Sequence, residues 1–254
     1  MREDPRPFFK LFGYQPHAGQ WKVHDAWEKR FRVLACGVRY GKTRSSASEI
    51  IASMLAYKGP RGVFWAVAPT AELSMRVFTV VKDTLFEKFK SLIVASNERE
   101  RMIRITNFNG TTSECVGKTA ESPPSLLGEG VDGMVIDEAS RAIEKTWESY
   151  LLPRLFDKKG WALFPSTPNG LGLFYDLYKK AGNGEETWAS FTGPSWENPL
   201  IDKAEIDKEY LGKIPERVYQ QEFEARFLEG GGSVFTNVDE CAVLDHLEDG
   251  PDPF

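Results

Sequence analysis

Apolar residues fall into two patterns along this chain. Short continuous apolar runs, each ended by glycine or a small polar residue, alternate with longer stretches in which apolar positions recur every three or four residues. FRVLAC (31–36) is a run of the first kind and breaks at Gly37, as a strand buried on both faces does. KTRSSASEIIASMLAY (42–57) is of the second kind: Ala47, Ile50, Ile51, Met54 and Leu55 form one helical stripe, and Gly59-Pro60 stops it. GVFWAVA (62–68) predicts the next strand. Residues 71–89 predict an amphipathic helix through Leu73, Val77, Val80, Val81, Thr84 and Leu85.

The pattern then changes. MIRITNF and TTSECV, within 102–116, flank Asn109-Gly110, a strong short-range signal for an antiparallel hairpin. A Pro/Gly-rich loop (117–130), a strand GMVI (133–136), a helix near 144–156 and a strand WALFPS (161–166) follow. A helix (171–181) and a strand TWASF (187–191) complete the series. Strands alternating with helices predict an α/β fold with a mostly parallel sheet covered on both faces. Ligands of such sheets sit at the carboxyl ends of the strands.

Composition narrows the class. The 254 residues are 41% hydrophobic and 27% charged, which fits one large domain or one with a small appendage. No run of about 18 apolar residues is present, so no transmembrane helix is expected. The N-terminus, MREDPRPFFKLFG, lacks the apolar stretch of a signal peptide. Cys36, Cys115 and Cys241 are too far apart for a disulfide framework or a zinc knuckle, which predicts a reducing cytoplasmic setting. Lys and Arg number 32 against 37 Asp and Glu, a formal charge of −5, so any nucleic-acid contact must use a local basic patch. Arg99, Arg101 and Arg104, Lys158-Lys159 and Lys179-Lys180 are the clusters available. Gly230-Gly231-Gly232-Ser233 reads as a flexible joint before an acidic tail.

The candidate chemistry lies at three strand ends. Gly37-Val38-Arg39-Tyr40-Gly41-Lys42-Thr43 joins a strand to a helix, the context of a phosphate-binding loop. Such a loop turns backbone N–H groups toward phosphate oxygens at the positive end of a helix dipole. Gly41 permits close approach, Lys42 supplies a charge for the β/γ-phosphates, and Thr43 can ligate Mg²⁺. Cys36 stands where the strict G-x-x-x-x-G-K-[ST] pattern has its first glycine. The strand Met134-Val135-Ile136 delivers Asp137, suited to hold Mg²⁺, and Glu138, suited to activate water. Beyond a third strand, the hydroxyls of Ser166 and Thr167 in Ser166-Thr167-Pro168-Asn169-Gly170 can sense a γ-phosphate. Gln20, ahead of the first strand, can read an adenine edge. Arg39 and Arg141 can each neutralise charge on a transferring phosphoryl group, in cis or across a subunit interface.

GVRYGKT, MVIDEAS and STPNG, together with Pro16 to Gln20, Glu197-Asn198-Pro199 and Gln220-Gln221-Glu222-Phe223, make the chain resemble the large terminase subunit of tailed bacteriophages over about residues 8–235. An arginine-bearing loop lacking its first glycine is common in that family. The resemblance implies a P-loop NTPase fold with a small C-terminal lid-like helical segment, over 1–229, and a linker over 230–254. It further implies an ATPase that pumps double-stranded DNA into a procapsid as a ring, a pentamer when docked on the portal protein, with a small terminase subunit as partner, in the host cytoplasm. ATP is then the substrate with Mg²⁺; Lys42 and Thr43 serve the phosphates and metal, Asp137 the metal, Glu138 the water, and Ser166 and Thr167 the coupling. Arg141 and Arg39 remain rival arginine fingers. Because the chain stops near Gly-Gly-Gly-Ser-Val-Phe, where the family's linker to a nuclease domain begins, no DNA cleavage is expected. A superfamily 2 helicase-like ATPase and a non-hydrolysing nucleotide-binding module are the competing readings.

Overall fold

The computed structural model describes residues 3–229; the Gly-Ser joint, the acidic tail and Cys241 lie outside the described residues. In chain order the elements are α1 (Ala18–Asp25), β1 (Phe31–Cys36), α2 (Lys42–Ala56), β2 (Arg61–Ala68), α3 (Ala71–Lys88), β3 (Ile93–Asn97), β4 (Met102–Thr106) and β5 (Thr112–Thr119). Then come β6 (Gly133–Ile136), α4 (Ala139–Ala142), α5 (Leu152–Arg154), β7 (Trp161–Ser166), α6 (Leu173–Gly182), β8 (Trp188–Gly193), α7 (Lys203–Tyr210) and α8 (Glu216–Glu222).

The strands form one eight-stranded sheet in the order β3-β4-β5-β2-β6-β7-β1-β8. From β5 to β8 all pairs are parallel, and β4 and β3 extend the sheet antiparallel at one edge. Strand alternation sends successive side chains to opposite faces. Leu34 and Cys36 pack with Ile50, Ile51, Met54 and Leu55 of α2 and with Val77, Val81 and Leu85 of α3. Val33 and Ala35 join Phe164, Trp147, Phe174 and Leu177 on the other face. Two apolar layers explain why β1, β2, β6 and β7 read as unbroken apolar runs.

Arg32 is the polar exception within β1. It is fully buried, and its guanidinium meets Glu49 of α2 at 2.8 and 2.9 Å in a bidentate pair. His24 of α1 meets the same carboxylate at 2.6 Å, so this buried triad joins α1, β1 and α2.

Two expectations are corrected. The helix expected near 144–156 is shorter and irregular: α4 ends at Ala142, a π-type turn spans Trp147–Leu151, and it runs directly into the short α5. Leu151 N–H bonds the Thr146 carbonyl, five residues back, and Pro153 has no N–H with which to extend an α-helix from that turn. The hairpin forms as expected, with Ile103 opposite Cys115, but it acquires β3 as an additional antiparallel edge strand. The weak apolar content of IVASN hides that strand, whose partner lies across a turn.

Candidate active site

The loop, the acidic pair and the hydroxyl segment converge at the carboxyl ends of β1, β6 and β7. The register Ala35↔Ser166 sets β7 directly beside the loop strand. The loop then starts at Gly37, where an added Cβ would lie 2.6 Å from Ser195 Oγ and 2.7 Å from the Phe223 carbonyl. Glycine is required there by the backbone closing over the loop. Gly41, the N-cap of α2, holds φ of +98°, which only glycine adopts readily. Cys36 occupies the position of the missing glycine with its thiol inside the core, where burial pushes its pKa up to about 12.

Lys42 curls back over the loop. Its ammonium donates to the carbonyls of Cys36 (2.7 Å) and Gly37 (2.8 Å) and to Thr167 Oγ1 (3.2 Å). Desolvation lowers its pKa, opposed by charges that include Glu138 and Asp137. Thr43 is half-buried in the first turn of α2, where helix N–H groups have no intrahelical acceptor.

Asp137 is 4% exposed, and burial with the neighbouring Glu138 charge pushes its carboxyl up to about 6, against a lowering contribution from Lys42. Glu138 adopts φ 50°, ψ 46°, a left-handed conformation rare for a side-chain-bearing residue and characteristic of strained functional positions. Its Oε1 lies 4.0 Å from the Arg76 guanidinium of α3, a neighbour that no sequence motif marked. Ser166 is fully buried and spends its hydroxyl on Ser140: it accepts from Ser140 N–H at 3.2 Å and donates to Ser140 Oγ at 2.8 Å. It therefore ties β7 to the start of α4, and Thr167 is the hydroxyl that reaches Lys42.

Two cavities border the loop. One of about 100 Å³ is lined by Val38, Glu138, Ser140, Arg141 and Thr167, with Glu222 at its rim. The other, about 260 Å³, is lined by Val38, Arg39, Ser195 and residues of α7. Arg141 and Arg39 are both exposed, one at each cavity, so the loop separates the two rival arginines. The α7–α8 segment covers the loop as a lid: Val38 N–H donates to the Glu222 carbonyl at 2.7 Å and Ser195 N–H to the Phe223 carbonyl at 2.8 Å. A larger cavity of about 580 Å³ lies at the opposite, amino ends of β2, β6 and β7 among Tyr57, Trp161 and Lys159, away from these motifs.

Gln20 turns its amide onto the loop. It is 4% exposed; its Oε1 accepts from His17 N–H at 3.1 Å and its Nε2 donates to the Gly41 carbonyl at 3.1 Å. The amide supports the loop. Members of the basic clusters have partners within the chain: Arg104 pairs with Glu114 at 2.6 Å, Lys158 with Asp132 at 2.8 Å, and Lys180 stacks over Trp188. Among the described residues, no group of three or more His, Cys, Asp or Glu side chains is assembled to hold a metal by itself. A threonine hydroxyl and one buried carboxylate beside a phosphate loop do fit Mg²⁺, which keeps waters and takes substrate phosphates as ligands.

No protein-family model matches the chain. It is 29% identical to the large terminase subunits of Thermus phage G20c and Thermus virus P23-45, over 93% of its own length and 54% of theirs. The solved large terminase ATPase domain of Thermus phage P74-26 superposes with a TM-score of 0.79 at 27% identity, covering 90% of this chain and all of that one. This chain resembles the large terminase ATPase domain. It spans about half the length of the curated terminases it matches. The large terminase of another thermophilic bacteriophage, solved in complex with ADP, shares the fold at a TM-score of 0.68 and 19% identity, over 84% of this chain and 53% of that one. The terminase-like architecture is that of a P-loop NTPase: a mostly parallel sheet flanked by helices, with the strand β7 inserted between the loop strand and the carboxylate strand.

Proposed function

We propose that this chain is the ATPase motor domain of a DNA-packaging terminase, hydrolysing ATP with Mg²⁺ to move double-stranded DNA into a procapsid. The observation that carries the reading is convergence: Lys42 contacts Thr167, while Glu138, Thr167 and Arg141 line one cavity at the strand ends. Thr43 and Asp137 would hold Mg²⁺, which draws charge from the β- and γ-phosphate oxygens when bound. Backbone N–H groups of Gly37 to Thr43 and the Lys42 ammonium would orient the phosphates. Glu138 would accept the proton of the attacking water, and Ser166 and Thr167 would relay phosphate occupancy from β7 to α4. Arg141 would act on a neighbour's phosphates or Arg39 on its own. The solved relative with ADP supports nucleotide as ligand of this fold.

The partners that follow are DNA, the portal protein, a small terminase subunit and further copies of this chain in a ring, pentameric when docked, in the host cytoplasm at the portal. No helix among the described residues is long and apolar enough to cross a membrane. Residues 1–229 would form the motor unit and 230–254 a linker.

Phosphate release measured with and without double-stranded DNA tests this. Wild-type turnover should fall by about 10²–10⁴ in Glu138→Ala while nucleotide still binds. Equal turnover in the variant removes Glu138 from the role of base. Tight ATP binding without turnover in the wild type at any concentration supports the non-hydrolysing module instead.

A further inference from the structure

The loop carries a second layer of organisation on its outer side, where three successive carbonyls are each held by a side chain from another segment. Asn198 Nδ2 donates to the Arg39 carbonyl at 2.7 Å, His17 Nε2 to the Tyr40 carbonyl at 2.9 Å, and Gln20 Nε2 to the Gly41 carbonyl at 3.1 Å. The donors come from beyond β8, from the N-cap of α1 and from within α1.

A trans peptide is planar, so the carbonyl of one residue and the N–H of the next point to opposite sides of it. No cis peptide bond is present among the described residues. Holding the carbonyls of Arg39 and Tyr40 on one side therefore turns the N–H groups of Tyr40 and Gly41 to the other, while the Gly41 carbonyl, besides Gln20, accepts Ser45 N–H at 3.0 Å as the first bond of α2. Tyr40 N–H meets the Gly37 carbonyl there at a long 3.4 Å, and Lys42 opens α2. Arg39 sits at φ 62° and Gly41 at φ 98°, both left-handed, and a sequence of such residues does not hold its shape unaided.

His17 joins the two ends of this arrangement. Its Nδ1 accepts from Gly19 N–H at 3.1 Å, so Nε2 carries the hydrogen that goes to the Tyr40 carbonyl. Its ring also packs edge-on against Tyr40, with centroids 4.9 Å apart. Seven residues along, His24 reaches Glu49 and lies 3.2 Å from Ser45 Oγ on α2, so α1 grips both the loop and the helix it opens.

We propose that His17 and Asn198, with Gln20, form a carbonyl clamp that presets the phosphate-facing N–H groups, making His17 and Asn198 positioning residues for nucleoside triphosphate binding. This rests on the nucleotide-binding reading above. The clamp draws on α1 and on the segment between β8 and the lid, so movement of either would alter the donors offered to phosphate.

His17→Asn separates clamp from fold, because asparagine is a good N-cap for α1 but cannot reach the Tyr40 carbonyl. Asn198→Ser likewise keeps a short acceptor for Leu200 N–H, which Asn198 Oδ1 holds at 3.1 Å. The measurement is direct binding of a fluorescent methylanthraniloyl-ATP with Mg²⁺, beside thermal melting of each variant. Loss of one such hydrogen bond should raise Kd roughly three- to ten-fold in each variant, with melting temperature unchanged. Wild-type Kd in both variants overturns the clamp and leaves the nucleotide reading intact. A Kd rise in His17→Ala that is absent in His17→Asn assigns the effect to the helix cap and overturns it as well. Absence of binding by the wild type removes the nucleotide reading, and the clamp with it.

Discussion

Asp137 shows how position along a strand becomes chemistry. Burial at the end of β6 and the adjoining Glu138 raise its carboxyl to about 6, well above the 3.8 of an unfolded aspartate. A folded pKa raised above the unfolded one means that ionisation costs stability, a cost absent below about pH 4 and complete above about pH 6. In nucleotide-free protein, Asp137→Asn should therefore stabilise the fold at pH 8 by on the order of 3 kcal/mol, read in chemical denaturation, and the gain should vanish toward pH 4. A gain that is the same at both pH values would place its origin elsewhere. The residual charge is what a divalent cation would neutralise, so a position that costs stability alone is suited to hold metal. Glu138 repeats the theme in the backbone, where its left-handed conformation aims the carboxylate over the cavity.

At the scale of elements, the phosphate loop is held by what surrounds it. Its first half lies against the lid, through Val38 to the Glu222 carbonyl and the close approach of Ser195 to Gly37. Its second half lies against α1. Beneath both, the Arg32–Glu49–His24 triad locks β1 to α2 and α1 in a site from which water is excluded. Removing one charge from a buried pair leaves the other without compensation. Glu49→Gln should thus cost roughly 3–5 kcal/mol in chemical denaturation. A loss below about 1 kcal/mol would show that the bond Arg32 already makes to the Val23 carbonyl at 3.0 Å suffices to hold it. Because α2 carries Lys42 and Thr43 at its start, this triad also fixes where those two side chains stand.

For the whole molecule, the question is how sites are completed. Arg141 is exposed at the rim of the cavity that holds Glu138, while Arg39 faces the lid-side cavity. If a ring supplies the finger, Arg141→Ala should reduce turnover only at protein concentrations where subunits associate, checked by running turnover beside sedimentation. A loss that does not depend on concentration assigns Arg141 a role within its own subunit. The separation of Arg39 and Arg141 by the loop means that single substitutions at each can be read independently.

Much of this was legible in the residues. Continuous apolar runs marked β1, β2, β6 and β7 because burial on both faces leaves no polar side, and Asn109-Gly110 marked the hairpin because its turn needs a left-handed glycine. Strand-end placement of Lys42, Asp137 and Thr167 followed from the same alternation, since parallel connections bring carboxyl ends together. Tertiary structure alone decided what long-range partners impose. The π-turn at 147–151, the pairing of β3, the burial of Ser166 against Ser140 and the engagement of Gln20 with Gly41 each depend on packing that no local pattern records. Arg76 beside Glu138 and His17 and Asn198 on the loop carbonyls carry no local signature, because a side chain's partner is set by packing while its periodicity is set by the helix or strand it belongs to.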